Sequence, residues 1–113
     1  MSDKRRLIDL SRFRTPGSVV FSGRPKGTEI RKLLQIDAAD EGADAFTVAI
    51  PKEIVSVNSS FFLGLFARSV RRFGREAFMA KYQFDCSPAA WGNVERGIEE
   101  ALVRSNPLVA AAA

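Results

Sequence analysis

Four arginines fall at one helical spacing. Arg68, Arg71, Arg72 and Arg75 recur at i, i+3, i+4 and i+7, which would line them along one side of a helix. Such a stripe either binds a phosphate backbone or an acidic protein, or is a solvated helix face. No aromatic residue is interleaved with it, because the nearby phenylalanines fall on another stripe, and this argues against single-strand binding by stacking. A second segment, Ser22-Gly23-Arg24-Pro25-Lys26-Gly27-Thr28, has the glycines of a phosphate loop but neither its Gly-Lys-Ser/Thr ending nor its spacing. A strand-to-helix turn explains those glycines and leaves Arg24 and Lys26 to meet the acids of a partner. Two adjacent hydroxyls, Ser59 and Ser60, follow Asn58. They read as helix N-caps or as modification sites.

Enzymatic chemistry has little to work with. The chain has no histidine, which removes the usual general base and the commonest metal ligand. The single cysteine, Cys86, has no resolving partner and no CxxC or zinc spacing, so it reads as a buried structural thiol. The pair Glu99-Glu100 falls on the polar side of the last helix with no acid/base partner. The expectation is a non-enzymatic protein without metal or cofactor.

The remaining composition sets the frame. With 113 residues, 46% of them hydrophobic, the chain is long and apolar enough for one core without disulfides. One domain over 1–113 is expected, loosely ordered at about residues 1–4 and 107–113. The first residues carry no apolar run of a secretory signal and no window approaches a membrane span. With a lone cysteine, a cytoplasmic location is expected. The net charge of +4 is uneven: residues 1–36 hold nine Lys/Arg against three acids, and residues 37–60 hold one against five. That asymmetry can guide partner choice.

The elements that must carry these residues alternate between β and α patterns. Arg6–Phe13 and Ser18–Ser22 read as two strands that pair as a hairpin around Thr15-Pro16-Gly17. Arg24–Ile36 reads as one helix capped by Thr28, with Ile30, Leu33 and Leu34 as its buried stripe, and Asp37–Asp44 as a loop. Ala45–Ile50 is the clearest strand, with Phe46, Val48 and Ile50 on one face. Asn58 or Ser59 caps a central helix to about Phe73, whose stripe is Phe62, Phe66, Val70 and Phe73. Gly64 inside it predicts a close helix–sheet contact, and Gly74 a C-cap. Glu76–Phe84 reads as a strand by its alternation. Ser87-Pro88 opens a last helix faced by Trp91, Val94, Ile98, Ala101 and Leu102 and stopped at Asn106-Pro107. The sum is an α/β fold in the order β-β-α-β-α-β-α: a small mixed sheet of about four strands covered by three helices. An exposed strand edge leaves dimerisation open.

The segment Val55-Ser56-Val57-Asn58-Ser59-Ser60-Phe61-Phe62-Leu63-Gly64-Leu65-Phe66 resembles the strand-to-helix junction of STAS domains, the fold of bacterial anti-sigma-factor antagonists. There an apolar strand runs into Asp-Ser-Ser/Thr-Gly and the hydroxyl residues open a helix. The chain is similar, over about residues 17–103, to the STAS-like domains of unknown function of bacteria and phages, which carry a Ser-Ser-Phe junction and a Gly-Arg segment before the first helix, here Gly23-Arg24 and Gly27 to Arg31. Asn58 stands in the aspartate's place and Phe61 in the glycine's. The resemblance implies a regulatory docking module whose partner is a histidine-kinase-like ATPase, the anti-sigma factor. It also implies phosphorylation at the junction, at Ser60 with Ser59 beside it, and partner contacts from Asn58, Phe61, Arg24 and Lys26. The competing reading is a basic nucleic-acid accessory protein working through Arg68, Arg71, Arg72 and Arg75.

Overall fold

The computed structural model describes residues 5–104, the side chain of Arg104 excepted. The expected stop at Asn106-Pro107, the apolar tail and the two loose ends lie outside the described residues. The order is β1 (Arg6–Asp9), a 3-10 turn (Leu10–Phe13), β2 (Val20–Phe21), α1 (Arg24–Leu33), α2 (Ile36–Glu41), β3 (Phe46–Ala49), β4 (Ser56–Val57), α3 (Ser59–Phe73), α4 (Arg75–Lys81), β5 (Tyr82–Asp85) and α5 (Pro88–Arg104). The α/β character stands.

The sheet differs from the expectation. It is parallel, not mixed, and comes in two pieces, β1-β3-β5 and β2-β4. The first two strands do not form a hairpin. β1 pairs with β3 from Arg6↔Phe46 to Asp9↔Ala49, while β2 pairs with β4 at Val20↔Ser56 and Phe21↔Val57. The Thr15–Ser18 turn carries the chain from one sheet piece to the other, with Ser18 N–H donating to Thr15 C=O at 2.9 Å. Ser18 then closes the outer edge of β2: its hydroxyl donates to Val20 C=O (3.0 Å) and accepts from Val20 N–H (3.2 Å).

Two helices stand where none was expected. Gln35 takes a left-handed φ of 56°, which ends α1 at Leu33 and restarts the chain as α2 through the expected acidic loop. Leu33, expected in the buried stripe, is exposed there, and Ile36 is buried at the start of α2. Most of Glu76–Phe84 is helix, and only its last residues enter β5. Phe78 and Tyr82, four apart, both turn into the core. Helix periodicity therefore fits the same residues whose alternation suggested a strand. Gly74 separates α3 from α4 at φ 81°, a backbone that glycine tolerates.

β3 behaves as its alternation predicts. Phe46, Val48 and Ile50 are buried, and Phe62, Phe66 and Val70 of α3 pack over that face with Phe78, Tyr82 and Phe84. Helix α3 is flanked by α1 on one side and α5 on the other. The opposite sheet face carries the row Leu7, Thr47, Gln83, none of which is buried. The expected helix–sheet contact at Gly64 is instead a helix–helix one. A methyl group there would strike the Arg24 carbonyl oxygen of α1, and one on Gly27 would strike the Phe61 carbonyl oxygen of α3. Thr28 is therefore interior to α1, pressed on Gly64, and Gly23 is the capping residue. Among the described residues no helix is long and apolar enough to cross a membrane.

Candidate functional site

The junction between β4 and α3 is built by backbone and cap. Asn58 N–H donates to Phe21 C=O at 2.8 Å, continuing the β2–β4 pairing past Val57. The Asn58 side chain then accepts from Ser60 N–H at 2.8 Å and starts the helix, so Asn58 rather than Ser59 is the cap. On β4's other side, Val57 N–H donates to Asn93 Oδ1 of α5 at 2.8 Å. The first turn is thus fixed from three directions.

Its residues divide by depth. Asn58 and Ser60 are exposed and Ser59 is half-buried. Phe61 points inward, 1% exposed, its ring stacked on Phe21 at 4.9 Å between centroids. This corrects its place among the partner-contacting residues: an aromatic here is a core residue tying α3 to β2. The hydroxyls of Ser59 and Ser60 make no hydrogen bond to the described residues. A cleft of about 240 Å³ opens beside Ser59, bounded by Ser56, Asn58, Asn93 and Arg96. Arg96 forms no ion pair among the described residues. Arg24 is exposed at the first position of α1. Lys26 is half-buried, with Nζ 3.4 Å from Thr15 Oγ1 and 5.7 Å from the Phe21 ring centre, which anchors it beside the same aromatic stack.

The arginine stripe does not form one free surface. Arg75 lies beyond Gly74, on α4, where it faces Glu95 and Glu99 of α5 at 3.9 Å each. Arg72 pairs with Glu41 at 3.0 Å, which raises its already high pKa. Arg71 donates from Nε to Ala101 C=O at 3.2 Å, and Arg68 stands 3.8 Å from Asp37. Arg71, Arg72 and Arg75 thus hold α2 and α5 around the end of α3, while Arg68 stays mostly exposed.

Sequence reasoning missed a buried polar cluster. Arg31, 6% exposed, donates from Nη1 to Leu65 C=O (2.8 Å) and Ser69 Oγ (3.0 Å), and from Nη2 to Asp37 (2.7 Å) and Asp40 (3.1 Å). Asp40 also accepts from Ser69 Oγ and from the Tyr82 hydroxyl, each at 2.6 Å. Burial first, and then that bond to Asp40, push the Tyr82 phenol far above its ordinary pKa. The Arg31 hydrogen bond holds the Asp37 carboxyl below the usual carboxylate range. Among the described residues no buried side-chain polar atom lacks a partner, so the cluster locks α1, α2, α3 and β5 together rather than presenting a reactive group. The available signal was Ser69, a polar residue beside Phe66 and Val70 on the core stripe of α3.

Cys86 is half-buried against the core, and burial raises its thiol pKa. Trp91 is half-buried, its ring 6.3 Å from Phe84. Among the described residues no three His, Cys, Asp or Glu side chains gather as metal ligands. Comparison with family models, curated proteins and solved structures finds no match to this chain.

Proposed function

We propose that this chain is a non-enzymatic regulatory docking module that engages a protein partner through the first turn of α3, with Ser60 as the residue whose modification switches the contact. The observation carrying this reading is the split between Ser60 and Phe61. One hydroxyl stands exposed and without a partner among the described residues at a helix start, while its neighbour is sunk against Phe21. A covalent change at Ser60 would alter the surface and leave the packing untouched.

The electrostatics favour the same residue. A helix N-terminus offers unpaired amides and partial positive charge. A phosphate adds about −1.5 to −2 charge, which this end of α3 tolerates while any partner surface is changed. Arg96, across the cleft from Ser59, supplies a further cation.

The resemblance of residues 55–66 to the STAS junction names the kind of partner: a histidine-kinase-like ATPase of the anti-sigma type, in the cytoplasm, where Cys86 stays a thiol. Arg24 and Lys26 would lie on the approach to the junction. To test the switch, the protein is incubated with ATP and lysate of its native cells, then weighed intact and mapped by peptide. One added phosphate at residue 60, absent from Ser60→Ala, is the expected result. Phosphate elsewhere, or none, removes the switch from the proposal.

A further inference from the structure

Four exposed cations from two helices line one groove, together with the buried Arg31. Arg24 and Lys32 of α1 and Arg68 and Arg71 of α3 line a cavity of about 170 Å³ whose apolar part is Leu63 and Ala67. The Gly27 and Gly64 contacts bring the two helix backbones close together. The side chains of Arg24 and Lys32 form no hydrogen bond or ion pair among the described residues. Arg68 reaches Asp37 only at 3.8 Å with both side chains mostly exposed, a pairing of little worth in water. Arg71 spends Nε on Ala101 and keeps its terminal nitrogens. Asp37, the one acid in the lining among the described residues, is already held by Arg31 at 2.7 Å.

We propose that this groove binds a short acidic segment of a partner protein, its carboxylates reaching the four cations and a small apolar side chain resting over Leu63 and Ala67. Charge complementarity decides the occupant. The groove holds one or two side chains, which suits a peptide. Among the described residues no aromatic lines it, so a nucleic-acid strand finds nothing on which to stack. The site extends the surface of the proposed switch, because Ser60, Gly64, Ala67 and Arg71 follow one another along one side of α3. It rests on the docking reading only in needing a protein partner, and binding here does not require Ser60 to be modified.

The test uses fluorescence anisotropy with a labelled amphipathic peptide of roughly 15 residues bearing glutamates beside a leucine–alanine stripe, and its glutamine counterpart. The wild-type chain should prefer the glutamate peptide by at least about tenfold, and Arg24→Glu with Lys32→Glu should abolish that preference, while Arg12→Glu leaves it unchanged. Amide shifts on titration should concentrate in residues 63–71. If circular dichroism shows the double variant misfolded, Arg24→Gln replaces it and should weaken the glutamate peptide alone. Equal affinity for both peptides, no binding, or binding indifferent to these substitutions overturns the proposal. So does tighter capture of a single-stranded oligonucleotide by the same cations. None of these outcomes touches the phosphate mapping at Ser60, so the two ideas fail separately.

Discussion

Tyr82 donates its phenol proton to Asp40 across 2.6 Å, and both side chains are buried. The single tyrosine of the chain is therefore a reporter of its polar core. Its folded pKa is raised, while in the unfolded chain it ionises at about pH 10. The stability from the protonated phenol is present below that unfolded pKa and is lost as pH climbs toward the folded one. Alkaline titration at the phenolate absorbance should show no free tyrosine ionisation before the fold goes, with absorbance and circular dichroism changing together. Reversible titration near pH 10 with the fold intact would contradict the burial.

Arg31 is the hub of the same cluster. Arg31→Lys keeps one charge but loses the fork that serves Leu65, Ser69, Asp37 and Asp40 at once. Losing those hydrogen bonds should cost about 1–3 kcal/mol, measured by urea unfolding. Asp37, held below the usual carboxylate range, adds an acid limb. Its contribution is present above the unfolded pKa of about 3.9 and lost as pH falls through its lower folded value. Unfolding in acid should therefore be sensitive to Asp37→Asn.

Two helical glycines should respond in opposite directions. Gly64→Ala drives a methyl into the Arg24 carbonyl and should lower stability by about 1–3 kcal/mol despite the better helix former. A methyl added at Gly92, in α5, would meet nothing within 4 Å, so Gly92→Ala should raise stability by about 0.5–1 kcal/mol. Thermal unfolding of the two variants checks the interlocking of α1 and α3.

The junction predicts its own pair. Phe61→Ala removes a ring stacked on Phe21 and should cost about 3–5 kcal/mol. Ser60→Ala, one residue earlier on the surface, should change stability by less than about 0.5 kcal/mol. Chemical denaturation distinguishes them, and a costly Ser60→Ala would mean the serine is structural.

Local signals carried much of this fold. The alternation of Phe46, Val48 and Ile50 marked β3; the Phe62, Phe66, Val70 stripe and Asn58 marked α3; and Ser87 caps α5, accepting from Ala90 N–H at 3.1 Å. What escaped depends on residues distant in sequence. Parallel pairing of Arg6–Asp9 with β3 links positions about forty residues apart, and a nearby turn signal suggested a hairpin instead. The segment at 75–81 satisfies both periods, and contacts of Phe78 with Phe62 and Phe66 favour the helix. Arg31 and Asp40 gave no sign of a shared cluster, because nothing near them in sequence shows that Ser69 and Tyr82 will meet them. At the site, the exposed Asn58 and Ser60 were legible as the start of a helix. The burial of Phe61 was not, because its partner Phe21 lies in another strand.

The most direct test of the docking claim is quantitative affinity capture from native-cell lysate on immobilised wild-type protein, Ser60→Ala and Ser60→Asp. An acid in the first turn of α3 suits the helix end, so the aspartate form keeps its fold and changes only the surface. The account predicts one protein held equally by wild type and Ser60→Ala and reduced at least about tenfold by Ser60→Asp. Equal recovery of every captured protein from all three forms would contradict it.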